Sequence, residues 1–176
     1  MLKIIIVVNV VAFVLFQFVP IEPFYLTEDS TYQVITYSLI HGGLLHLSLN
    51  MLGLYVFGKM VCKEIGGITF LSLYLVSIIG SAVACLLFSS QFPVVGASGA
   101  VFGVMAAFGV LFAKQELILL FPPIPMKAIY LVISYAIVEV YFSITSSVGI
   151  SHVAHVGGLA SGLIFATIWK LTTSFR

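Results

Sequence analysis

Between Glu64 and Lys114 the chain carries no formal charge, and this run, Ile65 to Ala113, sets the terms for what surrounds it. A membrane-spanning helix uses about 20 apolar residues at ~1.5 Å rise each. The run is therefore too long for one pass and must cross, turn and cross back. Its polar break is Ser89-Ser90-Gln91-Phe92-Pro93, which puts the turn just before Gly96-Ala97-Ser98-Gly99-Ala100-Val101-Phe102-Gly103. The returning helix starts near Ser98 and ends at Lys114, about 16 residues or roughly 24 Å, against a hydrocarbon core of ~30 Å. A helix that starts below the membrane surface leaves free backbone N–H groups that lipid cannot satisfy. Ser98 is therefore expected in a cavity enclosed by protein or reached by water.

The rest of the sequence agrees with a membrane environment. It is 61% hydrophobic and 7% charged, with a mean hydropathy of +1.23, the composition of a polytopic membrane protein. Six spans of about 20 residues use some 120 positions, so a single membrane domain over residues 1–176 is expected, with no separate soluble domain. A net charge of +1, with aromatic residues inside apolar runs and not beside basic clusters, sets nucleic-acid binding aside. Cys62 and Cys85 have no CxxC or histidine-spaced partner and read as small apolar fillers, suggesting neither a metal site nor a disulfide.

The first span is expected over Ile4 to Ile21. Val19-Pro20-Ile21-Glu22-Pro23 is a stiff exit without an Ala-x-Ala cleavage site, which argues for a retained span and against a signal peptide. An acidic loop follows, with Glu22, Glu28 and Asp29. Part of Thr31 to His41 is expected in the membrane interface, with Tyr32 and Tyr37 at headgroup level. The second span is placed at Leu44–Gly58, the third at Ile68–Phe88 and the fourth at Ser98–Ala113. Phe121-Pro122-Pro123-Ile124-Pro125 bars helix until about Met126. The fifth span is placed at Lys127–Phe142 and carries Glu139; Ser143 to Gly149 is a polar connection, and the sixth span runs over Ile150–Trp169. With six spans Lys3, Lys59, Lys63, Lys114, Lys127, Lys170 and Arg176 all fall on one side. By the positive-inside rule that side is the cytoplasm. Both termini are expected there, and the compact sequence favours a bacterial inner membrane over an organelle membrane.

Polar and ionisable side chains inside spans are costly and invite a functional reading. Besides Ser98 these are His46, Asn50, Glu139 and His155. His46 and Asn50 are four apart on the second span and share a face. His155 lies about five residues into the sixth span, roughly 7 to 8 Å below its outer end, which is the depth expected for Ser98. Gly99 with Gly103, and Ala154 with Gly158 and Gly162, form small-xxx-small ladders that let the fourth and sixth helices approach closely. Such ladders occur in membrane helices of every function, and a lone histidine there is more often a packed polar residue. The functional reading is a Ser-His dyad. Ser98 is the nucleophile, at a helix N-terminus that favours developing negative charge, and His155 is its base. His46 and Asn50 supply N–H donors to an oxyanion, with helix-helix hydrogen bonding as their alternative. No acidic residue stands out as a third member, and Glu139 is assigned to packing or a polar interhelical bond ahead of a catalytic role.

These motifs resemble those of the rhomboid family of intramembrane serine proteases. His46-Leu47-Ser48-Leu49-Asn50 is similar to the family's His-xxx-Asn, Gly96-Ala97-Ser98-Gly99 to its Gly-x-Ser-Gly, and Ala154-His155-Val156-Gly157-Gly158 to its Ala-His-x-Gly-Gly. The resemblance implies an all-α polytopic fold, a six-transmembrane-helix bundle whose short fourth helix starts at the catalytic serine. It implies Ser98 and His155 as the dyad, and His46, Asn50 and the Ser98 N–H as the oxyanion hole. Phe102 becomes the ring that stacks on the imidazole and His41 a structural histidine, with Gly96, Gly99 and Gly158 in support. Transmembrane-helix proteins in the lipid bilayer are the implied substrates. Two positions depart from the family pattern: Tyr32-Gln33 stands where the first loop usually has Trp-Arg or Trp-Gln, and Cys62 stands where an acidic residue is common.

On this reading the chain hydrolyses a peptide bond within or beside a transmembrane helix by acyl-enzyme chemistry, with no metal or cofactor. An intact helix hides its carbonyls, so small or Gly/Pro-containing sites are the expected targets. Ser89–Val95 and Ser143–Gly149 are the expected mobile lids. One rival is a non-catalytic helix-binding scaffold, which usually lacks the serine or histidine. Another is a transporter with a proton path through His46, Glu139 and His155, for which Glu139 shows no charged partner in the spans.

Overall fold

The computed structural model describes residues 1–89, 92–118, 123–145 and 151–173. The described residues form seven α-helices, two single-turn 3-10 helices (Glu22–Phe24 and Tyr37–Leu39) and one short hairpin. In order the α-helices and strands are α1 (Leu2–Leu15), α2 (Gln33–Thr36), α3 (Leu44–Ile65), α4 (Gly67–Phe88), α5 (Ser98–Leu111), β1 (Glu116–Ile118), β2 (Pro125–Lys127), α6 (Ala128–Thr145) and α7 (His152–Thr173). Four of these, α3, α4, α6 and α7, are long and apolar enough to cross a membrane, while α1 and α5 have 14 residues each. Large apolar side chains such as Leu45, Ile68, Leu87 and Phe88 point outward. That outer surface suits lipid and not water.

Several boundaries differ from those read off the sequence. α1 stops at Leu15 and not at Ile21, and Gln17 and Phe18 close it with turn bonds to Val14 and Leu15. Pro20 supplies no N–H and forces Val19 out of helical geometry, so the helix unwinds before it. α3 continues past Gly58 through Lys59, Lys63 and Glu64 to Ile65. Long charged side chains extend toward the interface without ending a helix, and Lys63 favours its C-terminal dipole. The stop comes at Gly66, whose φ of +81° is left-handed, and α4 begins at the next residue. Tyr37, expected at headgroup level, is buried, and its hydroxyl donates to Ile78 O at 2.9 Å. The segment around α2 folds down onto α4 and carries Tyr37 with it.

The α5–α6 connection contains an unforeseen antiparallel hairpin with Glu116 opposite Lys127 and Ile118 opposite Pro125. Its Pro125 opens β2, a position that tolerates a missing N–H. α6 runs through Ser143 to Thr145, so the expected polar connection starts later. Residues 146–149 of that connection, and Ser90 and Gln91 of the other expected lid, lie outside the described residues. Val94, on the same stretch as Gln91, pairs with Leu26 through two backbone bonds of 3.0 and 3.1 Å.

At the centre stands α5, in contact with α3, α4, α6 and α7. Its run from Val104 to Gly109 is buried on every side, which only a helix without polar side chains tolerates. Glycines bring three helices together. A Cβ on Gly158 would overlap the Gly99 carbonyl, and one on Gly162 would overlap that of Gly103. From α4, Ser81 Oγ fills the notch at Gly99 and Ser77 Oγ the notch at Gly103. Both hydroxyls also donate back to their own helix at 2.8 Å, so close packing leaves neither unsatisfied.

Substituting Gly158→Ala therefore forces α5 and α7 apart, whereas Ala160→Val adds two methyl groups on an exposed face of the same helix. The first should lower unfolding free energy in detergent by about 1–3 kcal/mol, and the second should change it by less than about 0.5 kcal/mol.

Candidate active site

The site begins with the turn that launches α5. Gly96 has φ +115°, and a Cβ there would lie 2.8 Å from two atoms of the His46 ring. Both the backbone angle and the contact require glycine. Its N–H donates to Tyr37 O at 2.9 Å, anchoring the turn to the buried tyrosine. α5 then starts at Ser98, and the first bond of its ladder runs from Val101 N to Ala97 O at 3.0 Å. The N–H groups of Ser98, Gly99 and Ala100 precede that bond and have no partner within the helix.

Ser98 Oγ lies 2.7 Å from His155 Nε2. The contact follows from the glycine packing: Ser98 adjoins Gly99, and His155 stands one turn before Gly158 on α7. The ring of Phe102, one turn after Ser98, stacks on His155 with centroids 4.4 Å apart and planes 22° from parallel. Phe102 in turn meets Tyr135 of α6 edge-on at 6.0 Å. A cavity of about 1050 Å³ opens beside this group, lined by Ser98, His155, Gly96 and Phe102 together with His46 and Asn50 of α3.

The two α3 residues are held from within their own helix. Asn50 Nδ2 donates to His46 O at 2.9 Å, which leaves the amide its second N–H. His46 Nδ1 accepts the Gly42 N–H at 3.3 Å. An accepting Nδ1 assigns the proton of the neutral ring to Nε2, the nitrogen beside Gly96 on the cavity wall. His41 is buried and meets His46 edge-on at 5.1 Å. Burial, and then the neighbouring His46, hold the His41 imidazole below its ordinary 6.5, at about 4.

Glu139 is where the sequence reading needs correction. It has partners in the spans: its Oε2 lies 2.7 Å from His152 Nδ1 and 3.0 Å from His155 Nδ1. The bond is interhelical, as one of its assigned roles required, but one of its partners is the histidine that faces Ser98. His152 was not singled out by sequence, although its spacing of three from His155 puts both on one helix face. Glu139, His152 and His155 also form the one group among the described residues able to offer three metal-ligand atoms, all within 4.8 Å of one another. Both cysteines are free thiols; Cys85 is buried with its Sγ 3.3 Å from Ser151 Oγ.

The family model described as Rhomboid domain matches residues 28–171. The chain belongs to the rhomboid family. RHOMBOID-like protein 4 of Arabidopsis thaliana is 32% identical over 140 residues, which cover 80% of this rhomboid chain and 34% of that protein. Rhomboid protein 1, mitochondrial, of Saccharomyces cerevisiae is 35% identical over 106 residues, 54% of this chain and 30% of that one. Rhomboid protease GluP of Bacillus subtilis is 29% identical over 147 residues, 80% of this chain and 26% of that one. The chain thus spans about a third or less of the length of these relatives. Family and apolar helices together make it an integral, multi-pass membrane protein.

One consequence for pH follows from His41, which lies in the loop before α3. Between pH 6.5 and about 4 the unfolded chain binds a proton at this residue that the folded loop excludes. Folding stability should therefore be unaffected by His41 above pH 6.5 and decline as pH falls through that window. Unfolding midpoints in detergent should drop less on acidification in His41→Asn than in the parent protein.

Proposed function

We propose that this rhomboid is an intramembrane serine endopeptidase that cleaves peptide bonds within or next to transmembrane helices of membrane-protein substrates. The observation that carries the reading is the 2.7 Å contact between Ser98 Oγ and His155 Nε2 at the free N-terminus of a buried helix, beside a cavity large enough for an extended segment of chain. His155 Nε2 takes the serine proton as Oγ attacks the scissile carbonyl. The developing oxyanion meets the Ser98 N–H, the second N–H of Asn50 and Nε2–H of His46, where preorganised donors act in a low dielectric. The proton then passes to the leaving amine, an acyl-enzyme forms, and water hydrolyses the ester by the same route in reverse. The scheme needs no metal or cofactor.

An intact substrate helix cannot present its carbonyl to Ser98, so segments unwound by glycine, proline or small residues are the favoured targets. We read α1 and α3 to α7 as six crossings, with α5 beginning at the nucleophile. The bundle's ends support an orientation with the basic residues in the cytoplasm. Met1 packs beside Gly67 at the α3–α4 connection, and Lys170 Nζ donates to Val110 O at 3.0 Å near the end of α5.

The test is labelling of the detergent-solubilised protein by an active-site-directed fluorophosphonate, followed by cleavage of a transmembrane substrate in liposomes. The parent protein should label, Ser98→Ala should not, and His155→Ala should react at least ~10³-fold more slowly. Asn50→Ala should retain labelling at Ser98 but cut about 10²-fold more slowly, as expected for the loss of one oxyanion donor. Substrate cleavage that survives in pure Ser98→Ala protein would overturn the proposal.

A further inference from the structure

We infer that Glu139 is a positioning residue that extends the Ser98–His155 pair into a chain of three, and that His152 locks the carboxylate in place. The inference rests on the roles proposed above for Ser98 and His155. Its geometry is independent of them. His155 is placed between an acceptor and a hydroxyl: Nδ1 is 3.0 Å from Glu139 Oε2 and Nε2 is 2.7 Å from Ser98 Oγ. A carboxylate only accepts, so the neutral ring carries its proton on Nδ1 and turns the lone pair of Nε2 toward the serine. That is the tautomer a general base for Ser98 must have. As Nε2 takes the serine proton, the ring becomes a cation hydrogen-bonded to the carboxylate, which stabilises it without receiving the proton.

The brace is built from two helices and is buried. Side-chain exposure is 13% for His152, 10% for His155 and 9% for Glu139. His152 Nδ1 donates to the same Oε2 at 2.7 Å, giving the carboxylate a second donor. A buried carboxylate without such donors would be costly. Each imidazole is held flat by a ring, His155 on Phe102 at 4.4 Å and His152 on Phe142 at 5.3 Å. A divalent cation bound at the same three atoms would need a lone pair on His155 Nδ1. The ring proton would then sit on Nε2, facing Ser98, so the tautomer of His155 separates the two arrangements.

The experiment is ¹⁵N NMR of histidine-labelled full-length protein in detergent at mildly alkaline pH, with the four histidines assigned by single substitutions. Fluorophosphonate labelling rates are measured on the same samples. In the parent protein His155 should be protonated on Nδ1 and bare on Nε2. Glu139→Gln keeps size but can present an N–H to Nδ1; it should switch His155 to the Nε2–H form and slow labelling about 10²- to 10⁴-fold. A role in packing alone would not change the tautomer. Nε2–H at His155 in the parent protein overturns the inference without recourse to any variant. So does Glu139→Gln protein that keeps the parent tautomer and labelling rate. A parent protein with Nδ1–H at His155 and no Ser98-dependent labelling leaves the brace standing and removes the protease reading instead.

Discussion

The close approach of α5 and α7 is the constraint on which the rest of this structure depends. Lipid offers no hydrophobic drive for helices to associate, so contact must come from packing and from polar bonds. Gly99 against Gly158 and Gly103 against Gly162 bring two backbones to the distance at which a carbonyl of one fills the space of a missing side chain on the other. The same register fixes the site. Ser98 and His155 each lie within one turn of that contact, so the packing that holds the bundle also sets the 2.7 Å between hydroxyl and imidazole. Nothing longer than glycine at these positions preserves both.

Polar groups inside the bundle fall into two kinds by how they are satisfied. Ser77, Ser81 and Ser161 donate to a carbonyl of their own helix, and Tyr37 caps Ile78 O. Asn9 does likewise with Ile5 O and also reaches the Tyr74 hydroxyl. Those bonds neutralise a cost and tie one helix to itself or to one neighbour. Ser98, His155, Glu139 and His152 pair side chain to side chain instead, across α5, α6 and α7. Each of these bonds orients a group whose proton matters. Sorting buried polarity by partner in this way picks out the Ser98–His155–Glu139–His152 chain, while Asn50 of the same cavity bonds within its own helix.

Much of that arrangement was legible in the sequence because it is written locally. Uncharged runs mark the long helices, Gly96 to Gly99 marks the turn into α5, and small residues four apart mark the faces of α5 and α7 that meet. Depth counted from helix ends was enough to bring Ser98 and His155 to one level. Other features depend on contacts with no local pattern. The burial of Tyr37 arises from how the loop after α1 folds back onto α4. The hairpin of Glu116–Ile118 with Pro125–Lys127 needs two short strands whose pairing no periodicity announces. Glu139 was visible as an intramembrane acid, but its partner depended on how α6 is rotated about its axis. His152, three before His155, was the available clue, since two histidines on one face ask for an acceptor.

The seating of α6 and the orientation of His155 are one interaction. α6 buries Ala128, Leu131 and Val132 near its start, and beyond them its one buried residue among those described is Glu139. Its outer half otherwise presents Ile137, Val138, Val140 and Tyr141 outward. That half is tied to α7 through a carboxylate shared by two imidazoles and through the Phe142 ring stacked on His152. A displacement of α6 that widened the cavity toward lipid would have to draw Oε2 away from His155 Nδ1. A helix this lightly packed is inexpensive to move, yet a buried carboxylate parted from both donors is not. His152 and His155 share the first turn of α7, so a displaced α6 would part the carboxylate from both imidazoles together.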